Sequence, residues 1–210
     1  MKKYKKIIDH YENCLDKYGD NHLGVDWPNK EDANKRYKVM LDIIKFNEDY
    51  YKKVSVLDFG CGTAHLLDYV QENKIKNIDY FGLDISRKFI DVAKGKYPNN
   101  IFYCLDILDT EMSLNNFDYI IMNGVFTEKN SMTTNEMWQY FIKVIKIIFT
   151  KANKGLAFNV MSKNVDWERE DLFHVSHDKL TKFLCNDLTR DYIIRNDYGL
   201  YEYTVYVLKK

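Results

Sequence analysis

Residues 54–65 contain the pattern that most restricts how this chain can fold. An apolar, β-branched run over 54–57 ends at Asp58-Phe-Gly-Cys-Gly62, and an amphipathic run containing Leu66, Leu67 and Val70 follows at once. This order predicts a buried strand, a glycine turn at its carboxyl end, and a helix. Glycine is needed in such a turn because one residue takes a tight or positive φ and another lets a ligand approach bare backbone. The helix amino terminus then presents unpaired N–H groups to a polar or anionic ligand.

The glycine turn alone leaves more than one ligand open. A dinucleotide-binding fingerprint needs Gly-x-Gly-x-x-Gly/Ala, but counting from Gly60 puts His65 at its third position. A bulky ring there opposes the close helix–strand packing that this fingerprint requires. An NAD(P)-dependent oxidoreductase is therefore the weaker alternative.

Length and charge exclude several classes of protein. The 210 residues are enough for a single domain, 1–210, with a sizeable core. The 31 basic residues balance the 31 acidic ones, which argues against a dedicated nucleic-acid binder. No run approaches the roughly 18 apolar residues of a membrane span, and no signal peptide opens the chain. The four cysteines lack metal-ligand spacing, so we expect free thiols, no metal and a cytoplasmic protein.

Two helices are predicted before the first strand. Apolar residues recur at helical spacing over residues 4–18, and Asn29 is placed to cap a second helix. These helices form an N-terminal cap over residues 1–47, ahead of an α/β core over 53–210. The cap either acts as a partial lid on a ligand or covers one edge of the sheet.

Strand and helix patterns alternate through the rest of the chain. Predicted strands cover 78–84, 101–105, 117–122 and 155–160, and two more, 192–196 and 201–208, close the chain. Thr133 and Glu136 have capping-box spacing before a long helix, and Ser176 is placed to start another. Such alternation predicts a mostly parallel sheet with helices on both faces and an antiparallel last strand. A ligand is expected beyond the strands' carboxyl ends, where the polar residues gather.

Four motifs, in order, resemble those of class I S-adenosylmethionine (SAM)-dependent methyltransferases. They are Val-Leu-Asp58-Phe-Gly60-Cys-Gly62, Gly82-Leu-Asp84-Ile, Cys104-Leu-Asp106-Ile and Phe117-Asp-Tyr-Ile-Ile. The resemblance implies a Rossmann-like, seven-stranded sheet. It also implies SAM as cofactor, S-adenosylhomocysteine (SAH) as product, and no metal.

The resemblance further implies which residues bind SAM. Asp84 would accept hydrogen bonds from both ribose hydroxyls, as the two oxygens of a carboxylate suit a vicinal diol. Asp106 would bind the adenine amino group, with Ile85 and Ile107 against the faces of the base. The methionine part would lie against the turn and the end of the fourth strand, at Asp58, Gly60, Cys61, Gly62, Asn123 and Gly124.

The acceptor is less constrained. The chain has Asn123-Gly-Val-Phe126 where enzymes that methylate amino groups of bases carry (Asp/Asn)-Pro-Pro-aromatic, so nucleic acid is not expected as a partner. Gly24-Val-Asp-Trp27-Pro and Leu200-Tyr-Glu-Tyr-Thr-Val-Tyr resemble small bacterial methyltransferases of capsule and surface-polysaccharide clusters. This implies O-methylation of a small molecule, a nucleotide-linked sugar or phosphoramidate-type precursor, by a monomer or homodimer. A non-catalytic SAM-fold binding module remains an alternative.

Methylation of a hydroxyl needs a base that removes its proton. Candidates in segments expected near the strands' carboxyl ends are His22, His174, His177, Asp26 and Asp166. We predict His174 first, since it lies in the 161–175 loop beside Phe173, with His22 as the second choice. Surface positions without a catalytic role remain the alternative for both histidines. Aromatic walls for the acceptor are predicted at Trp27, Phe126, Trp167 and Tyr201, with a core position as the alternative for each.

Overall fold

The computed structural model describes residues 3–46, 51–109 and 114–209. Residues 1–2 and 47 of the predicted cap, and residues 110–113 and 210 of the predicted core, lie outside these ranges. The N-terminal part comprises helices α1 (Lys5–Tyr18) and α2 (Lys30–Leu41), with 3₁₀ turns at His22–Val25 and Asp42–Phe46. The α/β part comprises β1 (Val54–Phe59), α3 (His65–Glu72), β2 (Ile78–Asp84), α4 (Arg87–Lys96), β3 (Ile101–Cys104), β4 (Phe117–Phe126), α5 (Thr134–Lys151), β5 (Ala152–Ser162), β6 (His174–Val175), α6 (His177–Asp187), β7 (Tyr192–Arg195) and β8 (Glu202–Leu208).

Local sequence signals set most helix starts. The Asn29 side chain accepts N–H groups of Glu31 and Asp32 at the start of α2. Thr133 and Glu136 form the predicted capping box of α5. Ser176 accepts the Lys179 N–H and starts α6.

The strands form one mixed sheet with the order β3-β2-β1-β4-β5-β8-β7. Strands β1 to β5 pair in parallel, β8 is antiparallel to β5, and β7 is antiparallel to β8. The strand order reverses between β1 and β4, and at such a point the helices on either side of the sheet diverge. The carboxyl ends of β1 and β4 therefore border a crevice.

Both faces of the sheet are covered. On one face, Leu57 and Ile120 pack with α5 and α6 through Phe141 and Leu184. On the other, their strand neighbours Val56 and Ile121 belong to a second cluster with residues of α2, α3 and α4. Because side chains alternate across a strand, these adjacent buried residues require helices on both sides, as in parallel α/β sheets.

The structure differs from the sequence expectation in the number of strands and in the ends of several of them; β5, for example, spans Ala152–Ser162 rather than 155–160. The sheet has eight strands rather than seven, because the two-residue β6 adds to the end of β5. Strand β4 continues four residues past Met122, with a register shift before Phe126. Gly124 lies inside that shift with a φ of +77°. Among the described helices, none is long and apolar enough to cross a bilayer.

A buried ion pair joins the N-terminal helices to the last strand. The Arg36 guanidinium of α2 lies 2.9 Å from both carboxylate oxygens of Glu202 on β8. The Glu202 side chain is only 1% exposed. Asn159 of β5 donates to the same carboxylate at 2.9 Å, so α2, β5 and β8 meet at one charged group.

Removal of the Arg36 charge is expected to destabilise the fold. Arg36→Met leaves Glu202 buried without its cation, and we expect the free energy of unfolding to fall by about 3 kcal/mol. The double variant Arg36→Met/Glu202→Gln should recover most of this loss, since the glutamine is neutral. Urea unfolding followed by circular dichroism measures both. Lys35→Met, at a 50% exposed neighbour, is the control and should change stability by less than about 0.5 kcal/mol. Equal stabilities of the Arg36 and Lys35 variants would show that the pair is dispensable.

Candidate functional site

A first cavity, of about 180 Å³, opens at the carboxyl ends of β1, β2 and β4. All ten residues predicted to bind the cofactor line it. The predicted residues are Asp58, Gly60, Cys61, Gly62, Asp84, Ile85, Asp106, Ile107, Asn123 and Gly124. They come from four strand ends that are far apart in sequence, and the parallel pairing of the strands brings them together.

The glycine turn is held against β2 by hydrogen bonds. The N–H groups of Gly60 and Cys61 donate to the Leu83 carbonyl at 2.7 and 3.0 Å. The Gly62 N–H donates to Asp84 Oδ2 at 2.9 Å. Gly60 and Gly62 have φ values of +76° and +52°, which side chains disfavour. These hydrogen bonds and backbone angles together fix the shape of the turn.

Two acidic groups lie beside this turn, Asp58 buried and Asp84 partly buried. Asp58 is 4% exposed and accepts the Tyr80 hydroxyl at 2.7 Å. Burial, together with the neighbouring charge of Asp84, raises the pKa of Asp58 to about 7. Burial also raises the pKa of Asp84, although backbone N–H groups of Ser86 and Gly62 oppose the shift. A cationic ligand in the first cavity would stabilise both carboxylates.

Helix α1 covers the first cavity. Tyr4, Ile7, Ile8 and Tyr11 line it, and the Tyr4 hydroxyl donates to Asp106 Oδ2 at 2.6 Å. Polar contacts beyond the helix end hold the covering segment in place. Asp20 accepts the Thr63 hydroxyl at 2.5 Å and lies 2.7 Å from His65 Nε2. A lid on a ligand in this cavity would need such a placement of α1. The opening and closing of this lid remain a prediction.

A second cavity, of about 300 Å³, adjoins the first. Tyr11, Trp27 and Gly124 line both cavities and so mark their junction. A Cβ on Gly124 would lie 3.1 Å from the Trp27 ring, so glycine is needed there for this contact as well as for its φ. Besides two tyrosines, the ionisable residues lining the second cavity are Asp26, Arg36, Glu128, Asp166, Arg169, His174 and Glu202.

Three of the four predicted acceptor aromatics lie at the second cavity. Trp27, Trp167 and Tyr201 line it, and the last two are 71% and 64% exposed. The prediction for Phe126 is wrong. Its side chain is fully buried, with its ring centroid 4.9 Å from that of Phe141. The extension of β4 turns this residue into the core instead of the crevice.

Neither predicted histidine is placed to act as a base. His174 lines the second cavity, but its Nδ1 donates to the Ser162 carbonyl at 2.6 Å and its Nε2 accepts the Arg169 N–H at 3.2 Å. Both ring nitrogens are thus engaged by backbone, and the ring holds the loop after β5. His22 lines neither cavity, and its Nδ1 donates to the Trp27 carbonyl at 2.6 Å.

Sequence reasoning missed several polar residues of the second cavity, among them Asn159, Glu202 and Glu128. Asn159 and Glu202 lie in strands whose neighbours are apolar, and an isolated polar residue in such a run was the available signal. Asn159 Oδ1 accepts the Gly124 N–H at 2.8 Å, which couples this pair to the junction. Glu128 lies two residues past the end of β4, and burial raises its pKa to about 7. No local pattern marked Glu128.

The buried Asp58 makes a testable contribution to pH-dependent stability. Its pKa is raised in the fold, so its stabilising contribution is complete below the unfolded pKa near 3.9 and is lost as pH rises through about 7. Asp58→Asn removes this titration and keeps an acceptor for Tyr80. We expect the stability of the variant relative to wild type to rise by about 2 kcal/mol between pH 5 and pH 8. Urea unfolding without ligands measures the difference. Asp79→Asn, at a 58% exposed side chain, should show no such trend, and a flat difference for Asp58→Asn would refute the assignment.

Comparisons with known proteins give one consistent result. A family model described as a methyltransferase domain matches residues 57–146. A putative methyltransferase of Mycobacterium tuberculosis is 27% identical over 160 residues, which cover 74% of this chain and 93% of that protein.

Solved structures agree in fold. Magnesium protoporphyrin IX methyltransferase of Synechocystis PCC 6803, with bound SAM, has 16% identity and a TM-score of 0.64, covering 98% of this chain and 97% of that chain. A plantazolicin methyltransferase in complex with a desmethylplantazolicin analogue and SAH has 16% identity and a TM-score of 0.63, covering 98% and 90% of the two chains. At such identities, these matches establish the fold.

The first cavity suits SAM chemically. The buried side-chain oxygen of Asn123 has no hydrogen-bond donor among the described residues, and an ammonium group would supply one. The acidic groups Asp58 and Asp84 favour a cation, which a phosphate-binding turn would not. These features and the comparisons do not support the NAD(P)-dependent alternative. The chain is a SAM-dependent methyltransferase with the class I fold.

Proposed function

We propose that this methyltransferase transfers the methyl group to a hydroxyl oxygen of a small polar molecule bound in the second cavity. The observation that carries this proposal is the junction of the two cavities at Tyr11, Trp27 and Gly124. A donor in one cavity and an acceptor in the other would meet there. A non-catalytic binding module would have no need of the second cavity.

The proposed orientation of SAM follows from the residues at each end of the first cavity. Asp84 and Asp106 would hold the ribose and the adenine, with Ile85 and Ile107 against the base. The glycine turn and Asn123 would hold the methionine end, and Gly124 borders both cavities. SAM supplies an electrophilic methyl group on a sulfonium. The chain aligns the acceptor oxygen with that group and excludes water under α1, which lowers the entropic part of the barrier.

The second cavity supports a sugar-like acceptor. Trp27, Trp167 and Tyr201 offer apolar ring faces, while carboxylates and arginines offer acceptors and donors for hydroxyl groups. This mixture suits a ring with one apolar face and polar edges. It agrees with the resemblance of the chain's two ends to capsule-associated methyltransferases. The proposed acceptor is therefore a sugar or phosphoramidate-type precursor of a bacterial surface polysaccharide.

Two further proposals concern the setting of the enzyme. All four cysteines are free thiols in the structure, which supports a reducing, cytoplasmic location. The two cavities are built from a single chain, so a monomer would suffice for activity, although a homodimer is equally compatible.

The cofactor assignment predicts the behaviour of an Asp84 variant. Asp84→Asn removes a charged acceptor for two hydroxyl groups, and hydrogen bonds to charged groups contribute about 1.5–3 kcal/mol each. We expect SAH affinity to fall at least about 100-fold, as measured by calorimetry. Asp91→Asn, on the exposed side of α4, is the control and should bind SAH as wild type does. Unchanged affinity in the Asp84 variant would remove this residue from the binding site.

An acceptor panel tests the proposed reaction. Purified protein with methyl-labelled SAM is offered methyl glycosides, nucleotide-linked sugars and phosphoramidate, with a short peptide and tRNA as comparison acceptors. We expect SAH release and an O-methyl signal by NMR with at least one hydroxyl compound. Turnover with only the peptide or only the tRNA would contradict the proposal, because the acceptor would then not be a small hydroxyl compound.

A further inference from the structure

Glu128 lies where the acceptor cavity meets the fourth strand. It follows the end of β4, four residues after Gly124 at the cavity junction. Its backbone forms an isolated antiparallel bridge with Leu172, which fixes the residue between β4 and the loop before β6. The side chain lines the second cavity. The carboxylate is therefore held on paired backbone at the proposed acceptor cavity, and its charge acts on Tyr11 at the cavity junction.

Most other ionisable groups in the second cavity already have partners. Arg36 pairs with Glu202, and Asp26 lies 2.9 Å from His10 Nε2. The remaining guanidinium, that of Arg169, is bound by Asp171. These contacts hold the walls of the cavity and leave few groups for the acceptor.

Glu128 is different. Among the described residues, none forms a hydrogen bond or an ion pair with its carboxylate. Asp166 also lines the cavity, but it lies on the exposed loop after β5. Glu128 is thus the partly buried carboxylate that has oxygen atoms available to an acceptor. The two predicted histidines do not compete with it, since His174 is saturated by backbone and His22 lies outside the cavity.

We propose that Glu128 takes the proton from the acceptor hydroxyl during methyl transfer. This proposal rests on the proposed function above. The oxygen–hydrogen bond of the acceptor breaks and its proton passes to the Glu128 carboxylate. The acceptor oxygen forms a bond to the methyl carbon as the methyl–sulfur bond breaks. The sulfonium charge is thereby discharged, SAH leaves, and the proton on Glu128 is later returned to water.

The surroundings of Glu128 suit a base that works near neutral pH. Burial contributes most to the rise of its pKa to about 7, and the charges of Asp171 and Asp26 add to it. His10 on α1 and Arg169 act in the opposite direction. Tyr11 and Cys14 on α1 also interact with its charge. A base is most effective when its pKa lies near the working pH, because it is then both deprotonated and basic.

Glu128→Gln tests the proposal, since glutamine keeps the size of the side chain but takes up no proton. The probe is whichever methyl glycoside or nucleotide-linked sugar of the panel gives the highest wild-type turnover. We expect kcat to fall at least about 100-fold, with a smaller change in KM and unchanged SAH affinity. The wild-type kcat should rise with pH through a midpoint near pH 7 to a plateau at higher pH, and this limb should be absent in Glu128→Gln. Glu128→Asp should recover part of the rate.

A second measurement does not depend on turnover. The ¹³Cδ resonance of Glu128, assigned by its loss in Glu128→Gln, is titrated in the SAH-bound protein, and we expect a midpoint near pH 7. Glu170→Gln makes the same change at an exposed residue outside both cavities. This control should keep the wild-type rate and pH profile.

Each contrary result has a distinct meaning. A Glu128 midpoint near 4.3, the ordinary glutamate value, or a Glu128→Gln variant with the wild-type pH profile overturns the role of this residue and leaves the methyltransferase reaction intact. A wild-type protein that binds SAH but methylates no hydroxyl compound overturns the proposed function, and the Glu128 proposal with it.

Discussion

The buried carboxylate of Glu202 is the constraint on which both cavities depend. A charge that is removed from water must be compensated, and Arg36 of α2 and Asn159 of β5 do so together. The side-chain oxygen of Asn159 accepts the N–H of Gly124, which lies at the junction of the cavities. Apolar residues of the same volume often stabilise a fold as well as a buried ion pair does. The contribution of this pair is therefore to hold the elements in one arrangement. It fixes the N-terminal helices, the sheet and the glycine at the junction in one arrangement.

Each cavity contains carboxylates that no cation neutralises among the described residues, and these mark where we expect ligand binding and catalysis. In the first cavity, Asp58 and Asp84 are disfavoured as anions in the free protein, since burial raises the pKa of each. A cationic cofactor would offset that cost. In the second cavity, burial also raises the pKa of Glu128. In the proposed reaction this carboxylate would meet a hydroxyl rather than a cation, so similar burial would favour binding in one cavity and proton transfer in the other.

Much of the fold followed from short-range patterns. The bounds of β2 were predicted to the residue, and the capping roles of Asn29, Thr133 and Ser176 were confirmed. All ten residues predicted to bind the cofactor line one cavity, because parallel strands place their carboxyl ends at one edge of the sheet. The errors were at strand ends. Four further residues extended β4, and they moved Phe126 from the expected crevice into the core.

The sequence by itself determined the alternation of strands and helices, the glycine turn and the polar strand ends, since each depends on residues within a few positions of one another. Only the tertiary structure decided which ionisable groups are available. Contacts between distant segments saturate His174 and pair Arg36 with Glu202, whereas Glu128 is left without a partner among the described residues. The physical reason is that desolvation and charge pairing depend on distances through space, and local patterns along the chain do not report these distances.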